Sequence, residues 1–200
     1  MTPVVYLPGA GGSSTFWKSV AVRLADLGPG VRLGWPGFGT EPPDHAVRSV
    51  RDLLGWTLAR MPPGASDLVA QSMGGVVATA LALEHPDRVR RLVLCVTSGG
   101  VDVAALGAAD WRAAYRTELP HVPDWFVVDR TDLTARLPTI RAPTLVLYGD
   151  ADPLCPEPVA RFLADLIPGA TLTCLRGGNH MIARDRPDEV APVIRRHLAR

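Results

Sequence analysis

The stretch Asp67-Leu68-Val69-Ala70-Gln71-Ser72-Met73-Gly74-Gly75-Val76-Val77-Ala78 decides how the rest of the chain is read. An apolar run stops at a serine and, two glycines later, restarts as a helix. A chain that reverses from strand to helix within about two residues needs small neighbours, and the residue at the turn is forced toward unusual φ/ψ. The turn exposes the serine Oγ and sets it, with the following backbone N–H groups, at a helix N-terminus whose partial positive charge favours a developing anion. Ser72 is therefore a candidate nucleophile, and a plain N-cap is the alternative reading. The spacing follows Gly-x-Ser-x-Gly with Ala70 in the first glycine's place, a residue small enough to pass.

Outward from this turn, a helix from Gly74 to about His85 is apolar nearly all round, so it is expected to be buried. The run 91–96 is apolar on both faces, as are 4–7 and 144–148, and Thr171 to Leu175 reads as a further strand. Helical stripes lie between them: Trp17, Val20, Ala21 and Leu24; Val47, Val50, Leu54 and Met61; Val159, Phe162, Leu163 and Leu166; Val190, Val193, Ile194 and Leu198. With the weak strand 31–33, the alternation predicts an α/β fold. The expected architecture is a three-layer sandwich, a mostly parallel sheet of about six strands with helices on both faces. From about 99 to 137 the alternation fails. Pro120 and Pro123 interrupt it, and Trp111, Tyr115, Trp125 and Phe126 crowd together, which predicts an inserted cap of one or two short helices. Residues 1–200 are expected to form one domain around that insertion.

Composition excludes several classes of partner. The 200 residues are 47% hydrophobic and 20% charged, with 21 basic and 20 acidic side chains and a formal charge of +1. No run of either sign suggests nucleic acid or an anionic membrane. No apolar stretch reaches the roughly 18 residues needed to span a bilayer, and the start carries no leader pattern. A small-molecule partner, a cytoplasmic location and a monomer or homodimer are the expectation. Cys95, Cys155 and Cys174 are odd in number and lack metal-ligand spacing, so neither a disulfide framework nor a metal site is expected. The first two read as core or near-core thiols. The loop Pro8-Gly9-Ala10-Gly11-Gly12-Ser13-Ser14 lacks the Lys-Ser/Thr ending of a phosphate loop, so no nucleotide cofactor is expected. Its other use is to aim a backbone N–H into a cleft.

In a parallel α/β sheet the carboxyl ends of the strands share one edge, where ligand crevices form. Three such ends carry chemistry here: Ser72, then Asp150 and Asp152, then His180. A serine hydroxyl needs a base to take its proton, and an imidazole base needs an acceptor on its other nitrogen. Ser72, His180 and one aspartate fill those roles. His45, His85, His121 and His197 have no matched partners and read as solvated or capping residues, with His121 set apart by its place in the cap.

Five segments in this order resemble the α/β-hydrolase superfamily: 5–12, 35–39, 70–75, 143–152 and 178–180. The resemblance runs almost end to end. It implies Ser72 as nucleophile, His180 as base and Asp152 as orienting acid, with Asp150 as the rival for that last role. It also implies an oxyanion hole from the N–H groups of Ala10 and Met73. Trp111, Trp125 and Phe126 are candidates for substrate contact. The implied activity is hydrolysis of a small carboxylic ester through an acyl-enzyme, without a cofactor. Thioesters, lactones or a carbon–carbon bond beside a carbonyl are alternatives for the same three residues, and a non-hydrolytic ligand-binding protein or a lyase is the more distant one. Dehalogenases and epoxide hydrolases of this fold use an aspartate nucleophile, which position 72 excludes. Two departures stand out: Pro8 replaces a common histidine, and Gly34 stands where an aspartate is common. The chain starts at what matches the family's third strand, and the short cap implies an open site.

Overall fold

A computed structural model describes residues 1–119, 122–123 and 125–200. Six strands, β1 (Val4–Leu7), β2 (Gly30–Arg32), β3 (Ser66–Gln71), β4 (Val89–Cys95), β5 (Thr144–Gly149) and β6 (Thr171–Leu175), form one sheet in the order β2-β1-β3-β4-β5-β6. All five pairings are parallel.

The period-2 geometry of a strand divides each apolar run between two cores. Val5 and Leu7 of β1, Leu68 and Ala70 of β3, Leu92 and Leu94 of β4, and Val146 and Tyr148 of β5 enter one cluster. Val4 and Tyr6, Val69, Val93 and Cys95, and Leu145 and Leu147 enter the other. The first core is closed by α2 (Val50–Leu58), α3 (Met73–Glu84) and α6 (Glu157–Leu166). The second is closed by α1 (Lys18–Arg23) and α8 (Pro187–Leu198), with Ile182 and Ala183 of α7 (Ile182–Asp185) between them. Strands apolar on both faces follow from this double cover, as expected.

Helix α3 is buried along most of its length, packed against β3, β4 and α2, which accounts for its lack of a polar face. Its N-terminal glycines are set by contact. A Cβ at Gly74 would lie 2.4 Å from the Pro8 carbonyl oxygen, and one at Gly75 would lie 2.3 Å from Thr97 Oγ1.

The connection from β4 to β5 holds two short helices, α4 (Arg112–Glu118) and α5 (Trp125–Val128), flanked by 3-10 turns at Ala104–Leu106 and Thr134–Thr139. Trp111 stacks on Phe126 at 4.7 Å between ring centroids, Tyr115 meets Phe126 edge-on, and both Trp125 and Phe126 pack edge-on against Phe38. Two helices and an aromatic cluster match the expectation for this segment. Pro120 and His121 lie outside the described residues. Among the described residues no helix is long and apolar enough to cross a membrane.

Candidate functional site

Parallel register brings five loops to one edge of the sheet. Leu7 pairs with Ala70, Gln71 with Cys95, Cys95 with Leu147, and Gly149 with Leu175, so the segments after β1, β3, β4, β5 and β6 emerge side by side.

Ser72 occupies the sharp turn between β3 and α3 at φ 51° and ψ −121°. For a residue with a Cβ this region costs on the order of 1–3 kcal/mol. The surroundings hold it there. Its N–H donates to the Cys95 carbonyl (3.2 Å), and its own carbonyl accepts from Gly75 N–H (2.9 Å) and from Thr97 Oγ1 (2.6 Å). Val96 is itself at φ 43°, a second strained position, and the turn it makes leads into Thr97. The β-branched Val96 thus shares with Ser72 the cost of the local geometry.

Opposite Ser72 lies His180. Its Nε2 is 3.0 Å from Ser72 Oγ and its Nδ1 is 2.8 Å from Asp152 Oδ2. Asp152 is 2% exposed, and its other oxygen accepts the Leu154 N–H at 2.9 Å, which fixes the carboxylate plane. The loop carrying His180 passes close over the end of β5. A Cβ at Gly149 would lie 2.2 Å from the Gly178 carbonyl oxygen, whose acceptor role toward Ala151 N–H (3.0 Å) ties the two loops together. Gln71, 3% exposed, donates from Nε2 to the His180 carbonyl (3.1 Å) and anchors the base to the nucleophile's own strand. Asp150 is exposed, and its Oδ1 accepts from Gly177 N–H. It therefore caps the turn, and Asp152 is the aspartate that meets the imidazole.

The loop after β1 approaches from the third side. A Cβ at Gly9 would sit 3.0 Å from Ser72 Cβ and 2.2 Å from Gln71 Oε1, so only glycine allows this approach. The indoles of Trp17 and Trp35 donate to the carbonyls of Leu7 (2.9 Å) and Pro8 (3.0 Å). These two bonds hold the loop against the helix and turn that carry the indoles. Tyr115 OH, from α4, donates to the Ala10 carbonyl at 2.9 Å. Ala10 N–H has no partner among the described backbone hydrogen bonds. Met73 N–H opens α3, where the first amides of a helix lack intrahelical acceptors. Trp111 and Phe126 touch Tyr115, which in turn reaches Ala10. Trp111 and Phe126 are thus gathered, through Tyr115, beside the Ala10 loop, and Trp125 packs on Phe38 and Phe126.

A groove of about 660 Å³ lies elsewhere: Gly34, Pro36, Glu41, Asp44, Trp56 and Arg60 are among its lining, and Ser72, Asp152 and His180 are not. Chemistry and hydrogen bonding point to the strand-end edge, which outweighs size alone. Gly34 faces Glu41, whose carboxylate a Cβ would meet at 2.3 Å, so an aspartate here would set two like charges together.

His197 departs from expectation. It is 7% exposed, not solvated, and its Nε2 bonds the Pro143 carbonyl at 3.1 Å, with burial lowering its pKa most and Arg91 and Arg200 adding to the effect. His45 is exposed and His85 caps the end of α3. Cys95 and Cys155 are buried thiols, and burial pushes both upward in pKa, which removes them as nucleophiles. Cys155 is nevertheless grouped with Asp152 and His180, an association that the spacing of cysteines alone does not reveal.

Gln71, Thr97, Trp35 and Tyr115 are the supporting residues that the sequence reading did not assign. Each acts through a carbonyl remote in sequence, so no local motif marks it.

A family model described as alpha/beta hydrolase fold matches residues 2–135, and one described as alpha/beta hydrolase family matches 99–193. The chain is 28% identical over 212 residues to 2-hydroxymuconate semialdehyde hydrolase of a Pseudomonas species, covering 96% of this chain and 72% of that protein. It is 26% identical to the biotin biosynthesis bifunctional protein BioHC of Teredinibacter turnerae, covering 98% of this chain but spanning only 44% of that relative's length. Among solved structures, a hydrolase from Pseudomonas aeruginosa superposes with a TM-score of 0.84 at 21% identity, covering all of this chain and 90% of the other. A thermophilic esterase from Thermogutta terrifontis gives a TM-score of 0.82 at 24% identity, again covering all of this chain and 90% of the other. With the family model spanning residues 2–135 and the sheet order, elbow and loops of the fold in place, the chain belongs to the α/β-hydrolase fold family.

Proposed function

We propose that the protein is a serine hydrolase that cleaves a small carboxylic ester through an acyl-enzyme. The observation that carries this reading is the hydrogen-bonded line Ser72 Oγ, His180 Nε2, His180 Nδ1, Asp152 Oδ2, with steps of 3.0 Å and 2.8 Å. Ser72 Oγ attacks the acyl carbonyl while His180 Nε2 takes its proton, and Asp152 holds the Nδ1–H tautomer and stabilises the imidazolium. The tetrahedral oxyanion faces the N–H groups of Ala10 and Met73, each worth a few kcal/mol in such sites. Collapse expels the alcohol, which leaves with the proton from His180. Water then enters, gives a proton to the same nitrogen as its oxygen attacks the acyl carbonyl, and the acid leaves as the Ser72 Oγ–acyl bond breaks and that proton returns to Ser72 Oγ. The segment 99–137 acts as a small cap, and Trp111, Trp125 and Phe126 form the acyl-facing side of it. A small neutral molecule suits the chain's near-zero charge.

The test is hydrolysis of p-nitrophenyl esters of increasing acyl length by the wild type, Ser72→Ala and His180→Ala. We expect kcat to fall by on the order of 10⁴ in each variant, with an organophosphonate adding mass to Ser72 in the wild type. Equal hydrolysis by all three proteins would remove the assignment. A second reading, cleavage of a carbon–carbon bond beside a carbonyl by the same residues, is supported by the relative named 2-hydroxymuconate semialdehyde hydrolase. Turnover of 2-hydroxymuconate semialdehyde in preference to every ester of the panel would select it.

A further inference from the structure

The acyl-transfer scheme leaves Cys155 without a role, yet its Sγ, a carboxylate oxygen of Asp152 and a ring nitrogen of His180 all lie within 4.8 Å of one another. Thiolate, imidazole and carboxylate form a donor set that suits borderline and soft divalent cations. We propose that these three residues are an inhibitory site for a cation of the zinc and cadmium class. The effect on turnover rests on the hydrolase reading above; the coordination itself does not.

The local chain is built to present the trio. Asp152 Oδ1 is engaged by Leu154 N–H, which leaves Oδ2 for the imidazole. Pro153 and Pro156 stiffen the turn that brings Cys155 back beneath the carboxylate, just ahead of α6. Asp152 and Cys155 are buried, whereas the His180 side chain is 19% exposed, so a cation would enter from the open side of the imidazole.

The fit is close. Tetrahedral zinc with Zn–N and Zn–O bonds of about 2.0–2.1 Å separates nitrogen from oxygen by roughly 3.3 Å. The Nδ1 to Oδ2 distance is 2.8 Å, so the pair opens by about half an ångström on that geometry. The sulfur, with a Zn–S bond of about 2.3 Å, has to approach by about 1.3 Å at most, within reach of a change in its χ1. Three protein ligands leave the fourth position for water. On binding, the thiol proton passes to solvent and the imidazole proton moves from Nδ1 to Nε2, so one proton is released for each ion bound.

The consequence for His180 is a matter of tautomer. An imidazole that ligates through Nδ1 and stays neutral carries its proton on Nε2. Nε2 then faces Ser72 as a donor and has no lone pair to receive the serine proton, and Asp152 no longer orients the ring. One ion thereby disables both partners of the nucleophile.

The experiment uses the full chain in a Cys174→Ser background, which removes the exposed thiol. Titration with Cd²⁺ is expected to give a thiolate-to-metal charge-transfer band that saturates at one equivalent, in the Ser72→Ala variant as well. The band is expected to be absent from both Cys155→Val and Cys155→Ser. With p-nitrophenyl acetate as substrate, Zn²⁺ is expected to abolish turnover and EDTA to restore it, and at least tenfold more Zn²⁺ is expected to be needed once Cys155 is replaced. A missing band, or equal Zn²⁺ sensitivity with and without Cys155, overturns the site. A band in a protein that hydrolyses no ester upholds the site and overturns the hydrolase reading instead.

Discussion

Ser72 sits at φ 51° although it has a Cβ, and glycine is the residue that reaches such a turn without strain. Replacing it by glycine relieves the strain but also frees the unfolded chain, whereas alanine keeps the strain and loses only the hydroxyl. Ser72→Gly is therefore expected to be more stable than Ser72→Ala by about 1 kcal/mol, read as a difference in urea midpoint. Equal midpoints would show that the turn is not strained in solution. Gly74→Ala works in the opposite sense. Its Cβ meets the backbone of Leu7 and Pro8, which cannot rotate away, so a loss of about 1–3 kcal/mol is expected in the same assay. Ser72, Asp152 and His180 are legible in the sequence because each sits in a short turn whose glycines and spacing carry information. Gln71 and Thr97 are not, because their work is to hold carbonyls that only the fold brings near.

At the scale of elements, the strands are the most legible part, since runs such as 91–95 and 144–148 are apolar on both faces and only a doubly covered parallel sheet satisfies that. Boundaries shift by a residue where a turn takes over: β2 spans Gly30–Arg32 rather than 31–33, and α3 starts at Met73. The β4–β5 connection is less legible, because aromatic crowding announces packing but not its target. That target is the Ala10 loop, through Tyr115 OH on the Ala10 carbonyl. The bond fixes the loop whose N–H is proposed to face the oxyanion, so its loss acts on the transition state more than on ground-state binding. Tyr115→Phe keeps the ring against Trp111 and Phe126 and removes only this donor. A single hydrogen bond of about 1 kcal/mol corresponds to roughly a fivefold change. We expect kcat to drop about fivefold with KM nearly unchanged. A change in KM alone would place Tyr115 in substrate binding instead.

For the whole molecule, the two cores must stay clamped to the sheet as pH changes, and His197 of α8 is where this is exposed to titration. Its Nε2 donates to the Pro143 carbonyl just before β5, and it faces Arg91 and Arg200. Burial, reinforced by those two cations, lowers its pKa below the ordinary 6.5, against a smaller upward pull from the Pro143 and Leu92 carbonyls. The folded protein therefore keeps this imidazole neutral at pH values where the unfolded chain has begun to protonate it. The unfolded state then binds more protons, so stability rises with pH across that window and is lost as pH falls. Above the unfolded pKa the contribution is fully present; it declines as pH drops through 6.5 toward the lowered folded value, with a slope of at most about 1.4 kcal/mol per pH unit for one proton. His197→Gln retains an N–H donor for the Pro143 carbonyl and cannot take up this proton. Urea midpoints measured from pH 7.5 to pH 5 are expected to fall less steeply for His197→Gln than for the wild type, the two curves diverging as pH falls below about 6.5. Parallel curves would mean that acid sensitivity arises at other groups and that α8 is not held by a neutral imidazole.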